Sequence, residues 1–449
     1  MNACWSDRVA TGGLCPEERP PGRAVKGDAL LKRSRVILTV IVLLVVTNLV
    51  TYSLATGLVP WLGLRWGAGL FRPGSDADFA RLYHQYRVLM TKYVDELDGH
   101  ELIEGALHGM ADAVGDPYTY YMDPQEYEEF DLPLSGEYVG VGMTVEQVGD
   151  YVTVVLPFPG SPAERAGLRP RDRIIGVDGK DVVGVPLDIV ARLIRGEEGT
   201  PVVLTVLRGE GEAEVRFDVT VIRERIIIES AKGKMLYPDE GLGYIQITDF
   251  SRKTPGQFDA ALAELRAQGL KGLVLDLRNN GGGYLDECVT IARRFIAEGT
   301  ILYRVGRDGE LRPVEAAGGE GIGVPVVVLI NEWTASAAEI LAGAIRDNEV
   351  GVLVGVTSFG KGTVQTPFDM GGGSVLRLTT ERWLRPNKEH ISDKGIEPDI
   401  VVSLPVVDET ESASFWEGFT WSDPEDPRDT QLRRAVELLR QALGEDGGS

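Results

Sequence analysis

Val324–Asp347, which reads VPVVVLINEWTASAAEILAGAIRD, is the stretch that decides the fold. It begins with an unbroken, valine-rich apolar run, which is typical of a strand buried on both faces. After a short polar connection, the small and apolar residues from Ser336 to Arg346 predict a helix. The stretch therefore predicts a buried strand, a tight connection, and a helix whose first turn holds Ser336 between Ala335 and Ala337.

Ser336 admits two interpretations at this position. Its small neighbours leave room for a bound molecule, and a hydroxyl at a helix start can attack a carbonyl while backbone N–H groups and the positive helix end stabilise the oxyanion. Alternatively, Ser336 and Glu339 make a capping box whose only role is to start the helix. The motif by itself does not decide between them.

Lys361 lies between two glycines in the stretch TSFGKGTVQ, residues 357–365. A lysine in this setting is commonly part of a solvated turn. A catalytic lysine would instead be desolvated, so that its neutral amine could take a proton from a serine, and an amide such as that of Gln365 could orient the amine. Both interpretations fit the local sequence.

A third motif, LVLDLRNNGGGYLDE, occupies Leu273–Glu287. It predicts a strand that ends in Arg278, Asn279 and Asn280 and continues through three glycines into a helix. Glycines allow a backbone to approach a ligand closely and to present N–H donors, but they also serve a simple strand-to-helix connection. A glycine triplet alone is a weak indication of a site.

Strands and helices alternate around these motifs from Gly241 onward. This alternation predicts an α/β domain, which we place at residues 226–405. The expected strands are GYIQIT, GLVLDLR and VPVVVLI, and the expected helices are Phe258–Ala267, Leu285–Ile296 and Ser336–Arg346.

The flanking regions have different patterns. Residues 134–225 contain short alternating strands separated by turns, which predicts a β-rich domain. Residues 59–133 form a predicted helical arm, because apolar residues recur there at three- and four-residue spacing. Residues 406–449 are predicted to be an acidic C-terminal tail that ends in an amphipathic helix.

Val36–Ala55, VILTVIVLLVVTNLVTYSLA, carries no charge and is long enough to cross a membrane as a helix. Basic residues crowd its amino side, so the positive-inside rule predicts a cytoplasmic tail at 1–35, a transmembrane anchor at 36–58 and later domains on the extracytoplasmic side. A cleaved signal peptide is the alternative, although the apolar run is long for one. The predicted location is the cell membrane, crossed once.

The composition is that of a globular protein, with 43% hydrophobic and 25% charged residues. The net charge of −22 argues against nucleic acid as a partner and favours peptides or proteins. Cys4 and Cys15 precede the apolar segment and Cys288 stands alone, so neither a disulfide framework nor a CxxC metal site is predicted.

DLRNNGGG, TASAAE and GKGTVQ follow one another along the chain, at residues 276–283, 334–339 and 360–365. This ordered set resembles the C-terminal processing peptidase family, also called tail-specific proteases. Three further stretches resemble the family's segment before its PDZ domain, the end of that domain and the end of the protease core. They are GALHGMADAVGDPYTYYMDPQEY (105–127), LIRGEEGT (193–200) and KGIEPDI (394–400). The resemblance covers roughly residues 76–405.

The resemblance implies roles for individual residues. The family's nucleophile falls on Ser336, its general base on Lys361 and its lysine-orienting glutamine on Gln365. The oxyanion donors would be the backbone N–H groups of Gly282 and Ala337. The family commonly has a proline directly before the position of Gly282, where this chain has a glycine, so this strand end would be less pre-organised.

Two stretches of the β-rich domain, EYVGVGMTV and PFPGSPAERAGLRPRDRIIGVDG, resemble a PDZ domain. Such a domain would offer backbone N–H groups to a terminal carboxylate while the peptide adds as a strand to the sheet edge. Arg195 would either sense the bound tail or complement a helix C-terminus. The peptide-binding residues would be Val139, Gly140, Val141 and Gly142.

The sequence lacks the residue patterns of a Ser/His/Asp triad and of a metalloprotease. His84, His100 and His108 fall in the helical arm and His390 falls in a late polar loop, with no serine elbow near them. No HExxH or comparable ligand spacing occurs. Neither a metal nor a cofactor is therefore predicted.

Together these features predict an α/β protease core with a β-rich PDZ domain, a helical N-terminal arm and one N-terminal transmembrane helix. The expected activity is that of a membrane-anchored serine endopeptidase that takes proteins or peptides with free, apolar C-termini and acts through a Ser/Lys acyl-enzyme. The alternative is a non-catalytic membrane scaffold that only binds C-terminal peptides. The sequence leaves open the substrate, trimming versus full degradation, and whether a second copy or an activating partner binds.

Overall fold

The computed structural model describes residues 75–209, 211–319, 321–405 and 419–445, together with the single residues Leu43 and Thr47. The chain divides between Leu97 and Asp98 into two compact units. The predicted tail at 1–35 and the predicted anchor at 36–58 lie outside the described residues, apart from the two single positions. Among the described residues, no helix combines the length and the apolar composition that a membrane span requires.

The described elements follow the predicted order of an arm, a β-rich module and an α/β core. The helices are α1 (Ser75–Lys92), α2 (Gly99–Asp112), α3 (Pro124–Ser135), α4 (Pro162–Arg165), α5 (Leu187–Ile194), α6 (Thr254–Ala267), α7 (Leu285–Phe295), α8 (Ala337–Asp347) and α9 (Thr430–Glu445). The strands are β1 (Tyr120–Met122), β2 (Glu137–Gly140), β3 (Met143–Val148), β4 (Tyr151–Pro157), β5 (Arg173–Val177), β6 (Lys180–Asp181), β7 (Pro201–Arg208), β8 (Val215–Ile222), β9 (Glu224–Ile227), β10 (Ala231–Tyr237), β11 (Leu242–Ile247), β12 (Gly272–Asp276), β13 (Thr300–Val305), β14 (Leu311–Glu315), β15 (Val326–Ile330), β16 (Gly351–Gly355), β17 (Thr363–Gly371), β18 (Ser374–Leu384) and β19 (Ile400–Val401).

The central sheet of the core has the strand order β10-β11-β12-β15-β16-β19. From β11 to β19 neighbouring strands are parallel, and β10 is antiparallel at one edge. Parallel neighbours need crossover connections, which α6 provides between β11 and β12 and α8 provides between β15 and β16. The strand of the deciding stretch, β15, is buried along its whole length inside this sheet. The predicted α/β core is confirmed.

Different helices cover the two faces of the central sheet. On one face α6, α7 and α8 bury residues such as Phe258, Phe295 and Leu341 against the strands. On the other face α9 packs through residues such as Leu432 and Leu439. The sequence predicted α9 as a helix at the end of a tail, and the structure shows that it is a full layer of the core.

A second sheet joins the arm to the core. Its order is β1-β18-β13-β14, with β17 paired to β18. β1 belongs to the arm, and its pairing with β18 places Tyr120 opposite Arg377. β17 begins at Thr363, two residues after Lys361. The arm is therefore hydrogen-bonded to β18, and β18 in turn pairs with β17, the strand that follows the lysine motif.

The β-rich module has its own sheet and its own apolar core. The sheet has the order β3-β4-β5-β7-β8, with β6 paired to β5. Val152, Ile174, Val190 and Leu204 are among the residues buried between this sheet and α5. The chain enters through β2 and leaves through β9, and these two strands pair with each other. The predicted β-rich domain is confirmed.

The helices of the arm begin and end at residues that suit these positions. The side chain of Asp98 accepts a hydrogen bond from His100 N at the start of α2. Asp123 and Glu126 form a capping box at the start of α3, and Gly136 ends α3 in the left-handed conformation, with φ 74°. Because α3 leads directly into β2, the arm and the β-rich module share this helix as their connection.

Truncating an apolar side chain on the buried face of α9 should destabilise the core. Leu439→Ala removes buried methyl groups and should lower the free energy of unfolding by about 2–5 kcal/mol, the usual cost of such a cavity. Thermal unfolding of the two variants measures this effect. Gln441→Ala, at an exposed position of the same helix, is the control and should melt as the wild type does. Equal melting of both variants would contradict a role for α9 in the core.

Candidate active site

Ser336 lies at the connection between β15 and α8 in an uncommon backbone conformation. Its φ is 55° and its ψ is −117°, a region that residues with a side chain rarely adopt. Its N–H donates to Glu339 Oε2 at 2.8 Å, which is the capping contact that the sequence predicts. The two interpretations of Ser336 are therefore compatible, because the capping contact holds a strained turn that presents the serine side chain.

Glu339 joins the serine turn to the lysine loop. Its Oε1 accepts hydrogen bonds from Ser358 Oγ at 2.6 Å and from Gly360 N at 2.7 Å. Its Oε2 accepts from Lys361 N at 2.9 Å in addition to Ser336 N. The side chain is fully buried. Burial raises its pKa, and the hydrogen bonds from Ser358, Lys361, Gly360 and Ser336 oppose this rise.

Lys361 is half-buried rather than in an open turn. Its carbonyl accepts from Trp383 Nε1 at 2.9 Å, and its flanking glycines are tightly packed. A Cβ on Gly360 would lie 2.8 Å from Gly395 N, and a Cβ on Gly362 would lie 2.5 Å from Ser392 Oγ. The glycines around Lys361 therefore serve close packing of the lysine loop.

The surroundings of Lys361 lower the pKa of its ammonium to about 8. Burial is the largest cause, and repulsion by Arg377 adds to it, while Asp116 and Glu339 oppose both. The Nζ atom lies 4.5 Å from the centre of the Tyr118 ring. A lysine in this setting is partly neutral near neutral pH and can accept a proton.

Ser336 and Lys361 line the same cavity, whose volume is about 460 Å³. The predicted site residues Gly282, Ala337 and Gln365 line it as well. The structure thus brings together all five residues of the predicted catalytic centre. Apolar side chains make up much of the remaining wall, among them Met122, Phe130, Leu134, Leu285, Ile340 and Val364.

Gly282 is packed directly against the serine turn. Its φ is 106°, and an added Cβ would lie 2.8 Å from Ser336 Cβ and 3.1 Å from Ala337 N. Its N–H donates to Asn280 Oδ1 at 2.8 Å. Ala337 is the first residue of α8, so its N–H has no acceptor within the helix. A Cβ on Gly281, where the family commonly has proline, would meet no atom within 4 Å.

Gln365 has its amide group fixed by neighbours other than Lys361. Its Nε2 donates to Thr363 Oγ1 at 2.9 Å and to Thr379 Oγ1 at 3.2 Å. Its Oε1 accepts from Arg377 Nη2 at 3.1 Å. The structure therefore places Gln365 in the same cavity as Lys361, with its amide oxygen directed to Arg377. No local sequence pattern points to Arg377, which lies on another strand.

The end of β12 is held by buried polar side chains of the DLRNNGGG motif. The Arg278 guanidinium is paired with Asp276 at 2.6 Å and with Asp429 at 2.7 Å, and all three side chains are almost fully buried. Asn280 Nδ2 donates to Ile247 O at 2.8 Å, while its Oδ1 holds the Gly282 N–H. These contacts fix the loop that carries Gly282. The partner Asp429 comes from the segment that the sequence predicted as tail.

The predicted peptide-binding residues lie together at the entry to the β-rich module. Val139 and Gly140 end β2, and Gly142 has a φ of 75° with Ser161 Cβ 2.6 Å from an added Cβ. The Val141 side chain is buried in the core of the module, so it does not line a groove. The Arg195 guanidinium carbon lies 5.8 Å from the centre of the Tyr138 ring. Arg195 also follows the last residue of α5.

Comparison with known proteins is consistent with this arrangement. A model of peptidase family S41 matches residues 241–402, a PDZ domain model matches 153–208, and a model of the activating protease CtpB N-terminal domain matches 72–126. The carboxy-terminal processing protease CtpA of Bacillus subtilis is 38% identical over 332 residues, which cover 74% of this chain and 70% of that protein. The chain belongs to peptidase family S41.

Further S41 relatives and solved structures are similar to parts of the chain. A probable CtpA-like serine protease of Staphylococcus aureus is 36% identical over 333 residues, 73% of this chain and 66% of that protein. The photosystem II D1 C-terminal processing protease is 30% identical over 72% of this chain and 93% of its own, with a TM-score of 0.42. The PDZ domain of a Vibrio cholerae carboxy-terminal protease, solved with a peptide, is 37% identical over 20% of this chain and 99% of its own, with a TM-score of 0.19.

Membership of family S41 makes this protein a serine peptidase and its β-rich module a PDZ domain. The family and the type of enzyme that the sequence predicts are therefore confirmed. The alternative of a non-catalytic scaffold is set aside by the same finding. The S41 peptidase core and its PDZ domain account for the two larger described domains.

Replacing the Glu339 carboxylate by an amide should disrupt the S41 site. Glu339→Gln turns one acceptor oxygen into a donor that faces the backbone N–H groups, so the free energy of unfolding should fall by about 1–3 kcal/mol. Displacement of Ser336 from Lys361 should lower kcat by roughly 100-fold. Peptide turnover and thermal unfolding measure the two effects. Glu332→Gln, at an exposed position before the serine, is the matched control, and wild-type behaviour of both variants would contradict the role of Glu339.

Proposed function

We propose that this S41 peptidase cleaves proteins near their C-terminal ends, with Ser336 as nucleophile and Lys361 as general base. The observation that carries this proposal is that both side chains line one cavity in which the pKa of Lys361 is lowered to about 8. A serine needs an adjacent base to become a nucleophile, and a partly neutral lysine can act as that base. The relatives with similar sequences are named carboxy-terminal processing proteases, which supports the choice of substrate end.

The reaction begins with transfer of the Ser336 Oγ proton to the neutral Lys361 amine as Oγ attacks the peptide carbonyl. The developing oxyanion accepts hydrogen bonds from the N–H groups of Gly282 and Ala337, and for this the Gly282 N–H leaves Asn280 Oδ1. Lys361 then gives its proton to the leaving amine, which departs and leaves an acyl-enzyme on Ser336. In the second half, Lys361 takes a proton from water as the water oxygen attacks the acyl carbonyl. It then returns this proton to Ser336 Oγ as the ester bond breaks and the shortened chain leaves with a new carboxylate.

The PDZ domain supplies the preference for chain ends in this proposal. Backbone N–H groups around Val139–Gly142 bind the terminal carboxylate, and the tail adds as a strand to the sheet edge. Three residues of α3, Tyr127, Phe130 and Leu134, line the catalytic cavity, and α3 continues directly into β2. This short connection supports transfer of a bound tail from the PDZ domain to the cavity.

A membrane location is part of the same proposal and rests on the sequence of Val36–Ala55. This charge-free apolar segment anchors the chain, and the basic residues before it keep the N-terminus in the cytoplasm. The PDZ domain and the peptidase core then act on the extracytoplasmic side. Substrates in this arrangement are secreted or membrane-exposed proteins with apolar tails.

Substitution of Lys361 by arginine tests the mechanism. Lys361→Arg keeps the positive charge but should abolish turnover, because a guanidinium stays protonated and cannot accept the Ser336 proton. Ser336→Ala should be equally inactive, and the Ser336→Ala/Lys361→Ala variant should be no worse than either single variant, because the two groups act as a unit. Mass spectrometry of a protein substrate with an apolar, disordered C-terminus measures turnover.

Lys234→Arg is the matched control, since Lys234 is exposed on β10 and should tolerate the change. Thermal unfolding shows whether each variant is folded. A folded Lys361→Arg enzyme with substantial activity would require a different base and would end the Ser/Lys proposal.

Amidation of the substrate tail tests the role of the PDZ domain. Removing the terminal negative charge should lower kcat/KM by roughly tenfold or more, because charged hydrogen bonds to the carboxylate contribute about 1.5–3 kcal/mol. Two peptides that differ only in the terminal amide provide the comparison. Equal turnover of the two peptides would exclude the terminal carboxylate from substrate selection.

A further inference from the structure

Arg377 lies on β18 in the wall of the catalytic cavity and is held there by the arm. Its Nη1 donates to the hydroxyl of Tyr120 at 2.9 Å. The guanidinium carbon lies 5.3 Å from the centre of the Tyr120 ring and 5.0 Å from the centre of the Phe130 ring. Two aromatic side chains from outside the peptidase core thus fix the position of this cation.

The other end of the guanidinium fixes the Gln365 amide. Arg377 Nη2 donates to Gln365 Oε1, so the oxygen of the amide must face Arg377 and its nitrogen must face Thr363 and Thr379. A carbonyl oxygen has two lone pairs. Gln365 Oε1 can therefore also accept a hydrogen bond from Lys361 Nζ once that amine moves away from the face of the Tyr118 ring.

The charge of Arg377 is not neutralised by an ion pair within the described part of the chain. Its polar contacts there are the Tyr120 hydroxyl and the Gln365 amide, which are both uncharged. Several other buried or half-buried arginines of the core are paired with carboxylates, as Arg278 is with Asp276 and Asp429 and Arg385 is with Asp347. The field of Arg377 therefore acts on the cavity instead of being cancelled locally.

We propose that Arg377 is a positioning residue of the catalytic centre, which orients the Gln365 amide and places a positive charge without a described carboxylate partner on the wall of the cavity that Lys361 also lines. This role rests on the proposed function of Lys361 as the base. It adds the arm to the active site, because Tyr120 and Phe130 hold the guanidinium in place.

The groups that face Lys361 come from several elements. Arg377 from β18 repels the ammonium, while Asp116 before β1 and Glu339 from α8 attract it, and the ring of Tyr118 lies beside it. Burial is the largest cause of the lowered pKa and Arg377 is the next. Other ionisable groups on the cavity wall are Tyr127, Asp131, Asp249 and Tyr284.

These charges determine the direction in which loss of Arg377 changes the pKa of Lys361 and the pH dependence of activity. With a pKa of about 8 for Lys361, roughly a tenth of the enzyme carries the neutral amine at pH 7, and this fraction rises with pH. Loss of the Arg377 charge removes a repulsion, so the pKa of Lys361 rises. The ascending limb of the activity profile, on which activity rises as Lys361 loses its proton, then moves to higher pH, and activity at pH 7 falls.

The test compares kcat and kcat/KM from pH 6 to 10 for the full-length wild type, Arg377→Met and Arg377→Lys with one apolar-tailed protein substrate. Arg377→Met should shift the limb upward by on the order of one pH unit and lower the plateau of kcat at least about tenfold. Arg377→Lys should keep the limb near the wild-type position, because the charge remains. Its plateau should still fall, because an ammonium cannot bind Tyr120 and Gln365 as a planar fork does.

The results separate this proposal from the proposed mechanism. A wild-type profile without an ascending limb, on which activity rises with pH, would reject Lys361 as the base. A normal wild-type limb that stays in place in Arg377→Met would reject the electrostatic role of Arg377 and leave the base intact. A wild-type plateau in Arg377→Lys would reject the orienting role.

Two controls keep the test interpretable. Arg434→Met removes one positive charge on the outer side of α9, where Arg434 pairs with Glu437 at 2.9 Å, and should leave the profile unchanged. If Arg377→Met is not folded by thermal unfolding, Arg377→Gln replaces it, with the same expected shift and the same result counting against the proposal. A structural role alone would change the plateau of these variants without moving the limb.

Discussion

The hydrogen bonds of the buried Glu339 carboxylate are the interactions on which the proposed catalytic centre depends. This carboxylate accepts one hydrogen bond from the Ser336 backbone and three from residues 358–361, so a single side chain sets the distance between the serine turn and the lysine loop. A carboxylate suits this place because it offers several acceptor positions and no donor. The strained backbone of Ser336 persists because these contacts determine it from both sides.

Around the Glu339 carboxylate, three separate parts of the chain build the cavity. The parallel sheet supplies the loop ends with Gly282 and Ser336, the second sheet supplies Gln365 and Arg377, and the arm supplies Tyr118 and the rings that hold Arg377. β1 of the arm is hydrogen-bonded to β18 of the second sheet, and Lys361 N, just before β17, donates to Glu339 of the core. The lowered pKa of Lys361 is therefore a property of the assembled fold rather than of the GKGTVQ motif.

The sequence was sufficient to predict the parts of the site whose signals are local. Ser336 lies at a strand-to-helix connection, and the serine-to-glutamate spacing predicts the capping contact, both of which the structure contains. The other three donors to Glu339 come from residues 19 to 22 positions later, and no local pattern links them. Arg377 reaches Gln365 through strand pairing, and the amphipathic pattern of α9 predicts a helix without showing which surface it covers.

The position of α9 in the core also has a consequence for the order of folding during synthesis. The PDZ domain is complete once the chain has passed β9, so it can form while the remaining chain is still being made. The peptidase sheet keeps one apolar face open, and Arg278 lacks Asp429, until Thr430–Glu445 has been added after every other described element. The loop that carries Gly282 is thus completed last, and the nascent chain has a folded PDZ domain before its peptidase core is complete.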